Sequence, residues 1–365
     1  MKHINMKKCL NFLMFPGAMV DQRLKISFAL GLLCILPLSS AQAVSESDFK
    51  KNFQKHVLPH YQLGQRGNFK AQDGIKISYR TFEIEDEEGA LVILPGCGIP
   101  ILGYAELIYD LRELGLSVYV LDHRGQGDSD KVAVDPQVTH VGDFDHYVTD
   151  VAQFMDTVVN KKPHVRKFLL GESMGCAIGT QYLLKNPDAF SAVILSTPMF
   201  GLNTGYMPQY LTHCVAQAGC MLGLGEYYAP RTERYRRRSF DENTVTQSQA
   251  RFELAQDILE KHTQFQLGGV TYQWVSTSLS TIVQIQTNQI VFNLPLMVFK
   301  AGKDQIIRND AIGQFCKIQE NCKLVEFTDS CHGLLMEADT FRDQAVAEIK
   351  AFIHEHKELP APDSA

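Results

Sequence analysis

The chain has no internal repeat, no low-complexity block and no excess of positive charge. A composition of 45% hydrophobic and 21% charged residues, without biased tracts, excludes a fibre or a disordered chain. The net charge of −6 argues against nucleic acid as the main partner. No Cys or His pair has zinc-like spacing with a matching second pair, so no metal site is expected. The longest apolar run, "ISFALGLLCILPL" from Ile26 to Leu38, is too short to cross a bilayer comfortably. What remains is 365 residues, enough for one large α/β domain or two modest ones.

That apolar run reads as an address. Arg23 and Lys25 precede it, and "SSAQA" follows with Ala41 and Ala43 in the small-x-small pattern of a cleavage site. Residues 1–43 are therefore expected to be a signal peptide removed after Ala43, with the mature chain starting at Val44 in the periplasm or outside the cell. Cys34 lacks the small neighbours of a lipidation site, and a start at Met19 stays open. Of nine cysteines, Cys9 and Cys34 leave with this segment. The other seven are odd in number, so one stays unpaired or pairs between chains. Cys214 with Cys220, and Cys316 with Cys322, are spaced for local disulfides in an oxidising compartment.

Beyond a polar, helical lead-in (Glu46 to Tyr61), strand and helix patterns alternate. "KISYRTFEI" has the period of a half-buried strand, whereas "ALVILPG" is a continuous apolar run suited to a strand covered on both faces. "YAELIYDLRELG", "FDHYVTDVAQFMDTVV" and "MGCAIGTQYLLKN" read as helices between the strands "LSVYVLD", "KFLLG" and "SAVILST". This rhythm predicts a mostly parallel sheet with helices on both faces. It breaks from Gly201 to Asn293, where helical stretches such as "NTVTQSQARFELAQDILEKH" and "GVTYQWVSTSLSTIVQIQTNQ" stand instead. It resumes with "PLMVFKAGKDQII", a helix from Asp310, "KLVEFT" and a last helix from Thr340. The expected plan is a core over 44–200, a helical lid over 201–293, the rest of the core over 294–356 and a disordered tail over 357–365. A structureless or helical insertion of that length usually has a job, and covering an active site is the usual one.

Gly171-Glu172-Ser173-Met174-Gly175 falls between a predicted strand and a predicted helix, the context of a nucleophile elbow. A serine hydroxyl needs a base oriented by an acid. Asp304 in "KAGKDQII" and His332 in "DSCHGLLME" follow later strands at their carboxyl ends, where Ser173 also sits. His123 and His140 compete for the base. Asp310, better suited to capping a helix, and Asp329, better suited to a turn, compete for the acid. Glu337 either supports the site or is a solvated glutamate, and solvated is the plainer reading. Acyl transfer also needs two preset oxyanion donors, and the backbone N–H groups of Met174 and Cys97 are the candidates.

With these residues assembled, the chain resembles the α/β-hydrolase superfamily, and within it the bacterial lysophospholipases of the monoacylglycerol-lipase-like branch. The resemblance runs from about Ala90 to Phe352 and rests on "DHRGQGDS", "HVGDFDHYVTDV", "GESMG", "GGVTYQW" and "CHGLLME". It implies a helical lid inserted before the last two strands and a Ser-His-Asp triad at Ser173, His332 and Asp304. It also implies oxyanion donors at Cys97 and Met174, and no metal or organic cofactor. The implied substrate is a lysophospholipid or, alternatively, a monoacylglycerol or simpler ester. Pro95-Gly96 departs from the His-Gly of many relatives, which a backbone donor tolerates. The export signal departs too, because such lysophospholipases generally lack one. In the insertion, "APRTERYRRRSF" clusters five arginines that suit phosphate oxygens or an anionic membrane surface, and Arg234 and Arg237 are the expected substrate contacts. The apolar stretches "AGCMLGLG" and "STIVQIQTNQIVF" suit either an acyl chain or the insertion's own core, with core preferred.

Overall fold

The computed structural model describes residues 44–288 and 291–357. The expected signal peptide, and all of the expected tail except Lys357, lie outside the described residues. Eight strands form one sheet in the order β1-β2-β4-β3-β5-β6-β7-β8. They are β1 (Gln65–Lys70), β2 (Lys76–Phe82), β3 (Gly89–Leu94), β4 (Leu116–Leu121), β5 (Lys167–Glu172), β6 (Ala192–Ser196), β7 (Leu296–Ala301) and β8 (Cys322–Phe327). From β4 through β8 every pairing is parallel, while β2 runs antiparallel to both β1 and β4.

The helices are α1 (Phe49–Asn52), α2 (Leu58–Leu63), α3 (Ala105–Leu111), α4 (Asp145–Thr157), α5 (Met174–Lys185), α6 (Gln209–Met221), α7 (Gln249–Lys261), α8 (Tyr272–Thr287), α9 (Asn309–Lys317) and α10 (Asp339–Lys357). The period of 2 along β3 explains its unbroken apolar run. Ala90, Val92 and Leu94 pack into the layer containing α4, α5, α8 and α9, while Leu91 and Ile93 pack into the layer containing α3 and α10. Between β6 and β7 lie α6, α7 and α8, with no strand of the sheet among them.

Four details differ from expectation. β1, "QRGNFK", is an added edge strand whose residues are exposed or half-buried, so it carries no apolar alternation to read. Lys357 ends α10 rather than starting a tail. Cys316 and Cys322 are joined, but Cys214 and Cys220 are free thiols. The latter pair lies within α6, where six residues advance about 9 Å along the axis, too far for a disulfide. Finally, Met221, Leu222 and Leu224 of "AGCMLGLG" are exposed, whereas Ile282, Ile285 and Phe292 of the second stretch are core.

Candidate active site

Ser173 sits on the turn between β5 and α5 with φ 50° and ψ −111°, a left-handed conformation that costs free energy for a side-chain-bearing residue. The neighbours make that turn affordable only as glycines. A Cβ on Gly175 would stand 2.0 Å from the Leu94 carbonyl oxygen, and one on Gly171 would stand 3.0 Å from the Cys176 Cα. The Ser173 N–H donates to the Ser196 carbonyl at 2.9 Å, pinning the elbow to β6.

Three chain-distant side chains converge there. The His332 Nε2 lies 3.0 Å from the Ser173 Oγ, and its Nδ1 lies 2.7 Å from the Asp304 Oδ2. Asp304 follows β7, and its side chain is fully buried. Its other oxygen accepts the N–H groups of Ile306 and Ile307, each at 2.8 Å, which fixes the plane of the carboxylate. Thr197 donates its hydroxyl to the His332 carbonyl at 3.0 Å. With Nδ1–H donated to the carboxylate, Nε2 is the acceptor facing the serine hydroxyl, as an activated nucleophile requires.

The rivals sit elsewhere. Asp310 is in the first turn of α9, where it pairs with Arg308 rather than capping the helix, and Asp329 pairs with Lys303. His140 bonds the Thr271 hydroxyl at 3.0 Å. Glu337 is not solvated. It is fully buried and accepts the N–H groups of Gln247 (2.6 Å), Cys331 (2.8 Å) and Ala338 (2.8 Å) and the Thr246 hydroxyl (3.0 Å). It thereby ties the insertion to the loop carrying His332. The sequence reading missed this because its partners lie on segments some 90 residues apart.

The loop after β3 is held at four points. Pro95 offers its carbonyl to His123 Nε2 at 3.1 Å, and the Gly96 N–H donates to the Tyr104 hydroxyl at 2.8 Å. The Gly98 N–H donates to the Gln126 Oε1 at 2.6 Å, and the Ile101 N–H to the Asp122 Oδ1 at 2.9 Å. Tyr104 in turn donates to Glu172, whose carboxyl is pushed up by burial. The signal available in the sequence was "DHRGQG", which supplies three of these four anchors. Between them the Cys97 N–H, like that of Met174, donates no hydrogen bond among the described residues. Both N–H groups are thus without an internal acceptor among the described residues. Desolvation pushes the Cys97 thiol up to about 12, so it is no rival nucleophile.

Ser173 and His332 open into a cavity of about 470 Å³. Its apolar wall comes from Phe49 and Phe53 of the N-terminal arm, from Phe252, Leu254 and Ile258 of α7, and from Val270, Ile306 and Met336. Arg234 and Arg237 do not line it. Arg234 pairs with Asp135, and Arg237 pairs with Asp257. The cationic residues that do line it are Arg238 and Arg251. Among the described residues no group of three or more His, Cys, Asp or Glu side chains is arranged to hold a metal ion.

Fold and site together define a serine hydrolase of the α/β-hydrolase class. The family model described as serine aminopeptidase, S33, matches residues 85–339, and the chain belongs to that family. It is similar to lysophospholipase L2 of Escherichia coli (strain K12), at 30% identity over 296 residues covering 79% of this chain and 87% of that protein. It is also similar to the probable lysophospholipase L2 of Haemophilus influenzae, at 25% identity over 314 residues, 85% of this chain and 99% of that one. Among solved structures, a soluble variant of monoglyceride lipase from Saccharomyces cerevisiae matches with a TM-score of 0.64 at 18% identity. It covers 81% of this chain and 95% of that one, a likeness of fold.

Proposed function

We propose that the protein is an exported serine hydrolase of lipid esters whose substrate is a lysophospholipid, with Ser173, His332 and Asp304 as its catalytic residues. The observation that carries this reading is the hydrogen-bonded Ser173–His332–Asp304 chain at the wall of a large, mainly apolar cavity. An acyl chain fits such a wall, and its ester carbonyl is then presented to the Ser173 Oγ. Ser173 attacks the carbonyl carbon as His332 Nε2 takes the hydroxyl proton, while Asp304 holds the imidazole and stabilises its charge. The oxygen that becomes negative receives the N–H groups of Cys97 and Met174. As the tetrahedral species collapses, His332 returns the proton to the departing glycerol oxygen, leaving an acyl group on Ser173. Water, deprotonated by the same imidazole, then releases the fatty acid.

Residues 201–293 act in this reading as a lid over the cavity. An ester fits better than a peptide amine. A free carboxylate would be needed to meet an ammonium group, yet the cavity's Glu106, Glu172 and Glu242 are engaged by Arg251, Tyr104 and Arg236. The similarity to lysophospholipase L2 supports the headgroup class. The Cys316–Cys322 disulfide supports an oxidising compartment, and an exposed apolar face on α6 supports work at a lipid surface.

The test is fatty-acid release from lysophosphatidylcholine and from monoacylglycerol of the same chain, with Ser173→Ala as blank. The expected result is preference for the lysophospholipid and loss of at least about a thousandfold in the blank, the scale of losing a triad member. Equal or better turnover of monoacylglycerol would leave a general lipase instead.

A further inference from the structure

We propose that Arg238 is the phosphate-binding residue of a headgroup subsite at the mouth of the cavity, an assignment that rests on the lysophospholipid reading. The arginine cluster of residues 231–238 divides sharply in its partners. Arg234 is matched by Asp135, Arg236 by Glu233 and Glu242, and Arg237 by Asp257, which it shares with Lys50. Arg238 lines the cavity, is exposed to solvent and has no carboxylate partner among the described residues. Its backbone is nevertheless held, because its N–H donates at 3.1 Å to the side chain of Gln256, another wall residue.

The surrounding charge favours the same ligand. Lys50 and Arg237 share a single carboxylate, Asp257, at the edge between the N-terminal arm and α7, and Arg238 follows Arg237 in the chain with no carboxylate of its own among the described residues. The cavity carboxylates each already have a partner, so nothing inside opposes an anion at this rim. A guanidinium that is fixed at its backbone, unpaired and half in water is suited to a phosphodiester, whose oxygens accept its planar fork of donors. The apolar wall takes the acyl chain, and Arg238 reads the group at the other end of the glycerol. Arg251, the second cation of the wall, cannot share the role, since Glu106, Asp339 and the Glu337 and Val44 carbonyls occupy its donors.

The experiment compares wild type, Arg238→Gln and Arg234→Gln on lysophosphatidylcholine and on monoacylglycerol of the same chain length. Losing one charge-assisted contact should lower kcat/KM for the lysophospholipid by about tenfold or more in Arg238→Gln, with monoacylglycerol turnover kept. Arg234→Gln removes the same charge away from the cavity and should change neither. Equal loss on both substrates, or no loss on the lysophospholipid, overturns the assignment.

Should the wild type ignore lysophospholipids, the functional reading fails by itself. The subsite is then read from inhibition of p-nitrophenyl butyrate turnover by monododecyl phosphate, with a neutral dodecyl glycerol ether and inorganic phosphate in parallel. Inhibition by the alkyl phosphate that weakens about tenfold in Arg238→Gln, with the ether unaffected, upholds the subsite. Equal inhibition of both enzymes, or inhibition by inorganic phosphate without any by the alkyl phosphate, overturns it.

Discussion

His123 uses its two ring nitrogens unequally. Nε2 reaches the Pro95 carbonyl at 3.1 Å and so donates, which makes Nδ1 the bare nitrogen. Nδ1 is buried with no hydrogen-bond partner among the described residues, and the ring stands edge-on to Tyr147. Such a ring is stable only when neutral, and desolvation accordingly pushes its pKa from 6.5 down to about 4. In the unfolded chain the imidazole charges as pH falls through 6.5, whereas the folded one holds out to about 4. The stability it contributes is therefore complete above pH 6.5 and is lost as pH falls from there toward 4. The scale is about 3 kcal/mol across that window. His123→Gln keeps a donor for the carbonyl but has nothing to titrate. Urea unfolding of both proteins at several pH values across the window should show a shallower loss for the variant. Parallel losses would place the acid sensitivity elsewhere.

At the scale of elements, Arg251 on α7 joins four pieces of chain. Its guanidinium meets Glu106 of α3 at 2.9 Å and Asp339 of α10 at 2.8 Å, and it donates to the Val44 carbonyl at 3.1 Å and the Glu337 carbonyl at 2.8 Å. The insertion is thus bolted to the core and to the N-terminal arm through one nearly buried cation. Arg251→Met keeps much of the bulk but leaves the Glu106 carboxylate, itself held above its usual range by burial, with Arg342 at 3.2 Å as its remaining cation. A loss of about 3 kcal/mol is expected, the lower end of the cost of removing one partner from a buried ion pair, since Arg342 still faces Glu106. Chemical denaturation measures it, and a loss below about 1 kcal/mol would mean that Arg342 alone satisfies Glu106.

Such joints were not legible in the sequence, and the reason is physical. A residue acting through its own local backbone leaves a local pattern. Ser173 on its glycine-flanked turn, and Asp304 and His332 just past apolar strands, could be placed because parallel strands deliver their ends to one edge. Arg251, Glu337 and the pairing of Arg234 with Asp135 depend on partners up to 207 residues away, and no periodicity encodes those. Strand β1 escaped for the opposite reason. Its pairing with β2 is made by backbone groups, and its exposed side chains show no burial pattern.

For the whole molecule, the question is how the active site meets a lipid ester. Among the described residues no helix is long and apolar enough to cross a membrane. One side of α6 packs on α8 through Ala216 and Gly219, and its other side carries Tyr210, Leu211 and Val215 into solvent. Its last residue, Met221, is 82% exposed, Leu222 just after it is 77% exposed, and Tyr206 and Tyr227 flank the helix. Large apolar side chains collected on one helix face, with tyrosines at the margin, have the composition of an interfacial contact. Each such side chain contributes about 1.5–3 kcal/mol if it is fully withdrawn from water. Met221→Glu with Leu222→Glu should therefore reduce sedimentation with phosphatidylcholine vesicles by about tenfold or more. Turnover of a soluble short-chain ester should be unchanged, because neither residue lines the cavity. Vesicle binding that survives the double substitution would move the lipid contact away from α6. A soluble-ester rate that falls with vesicle binding would show that this face supports the site's structure rather than meeting the membrane.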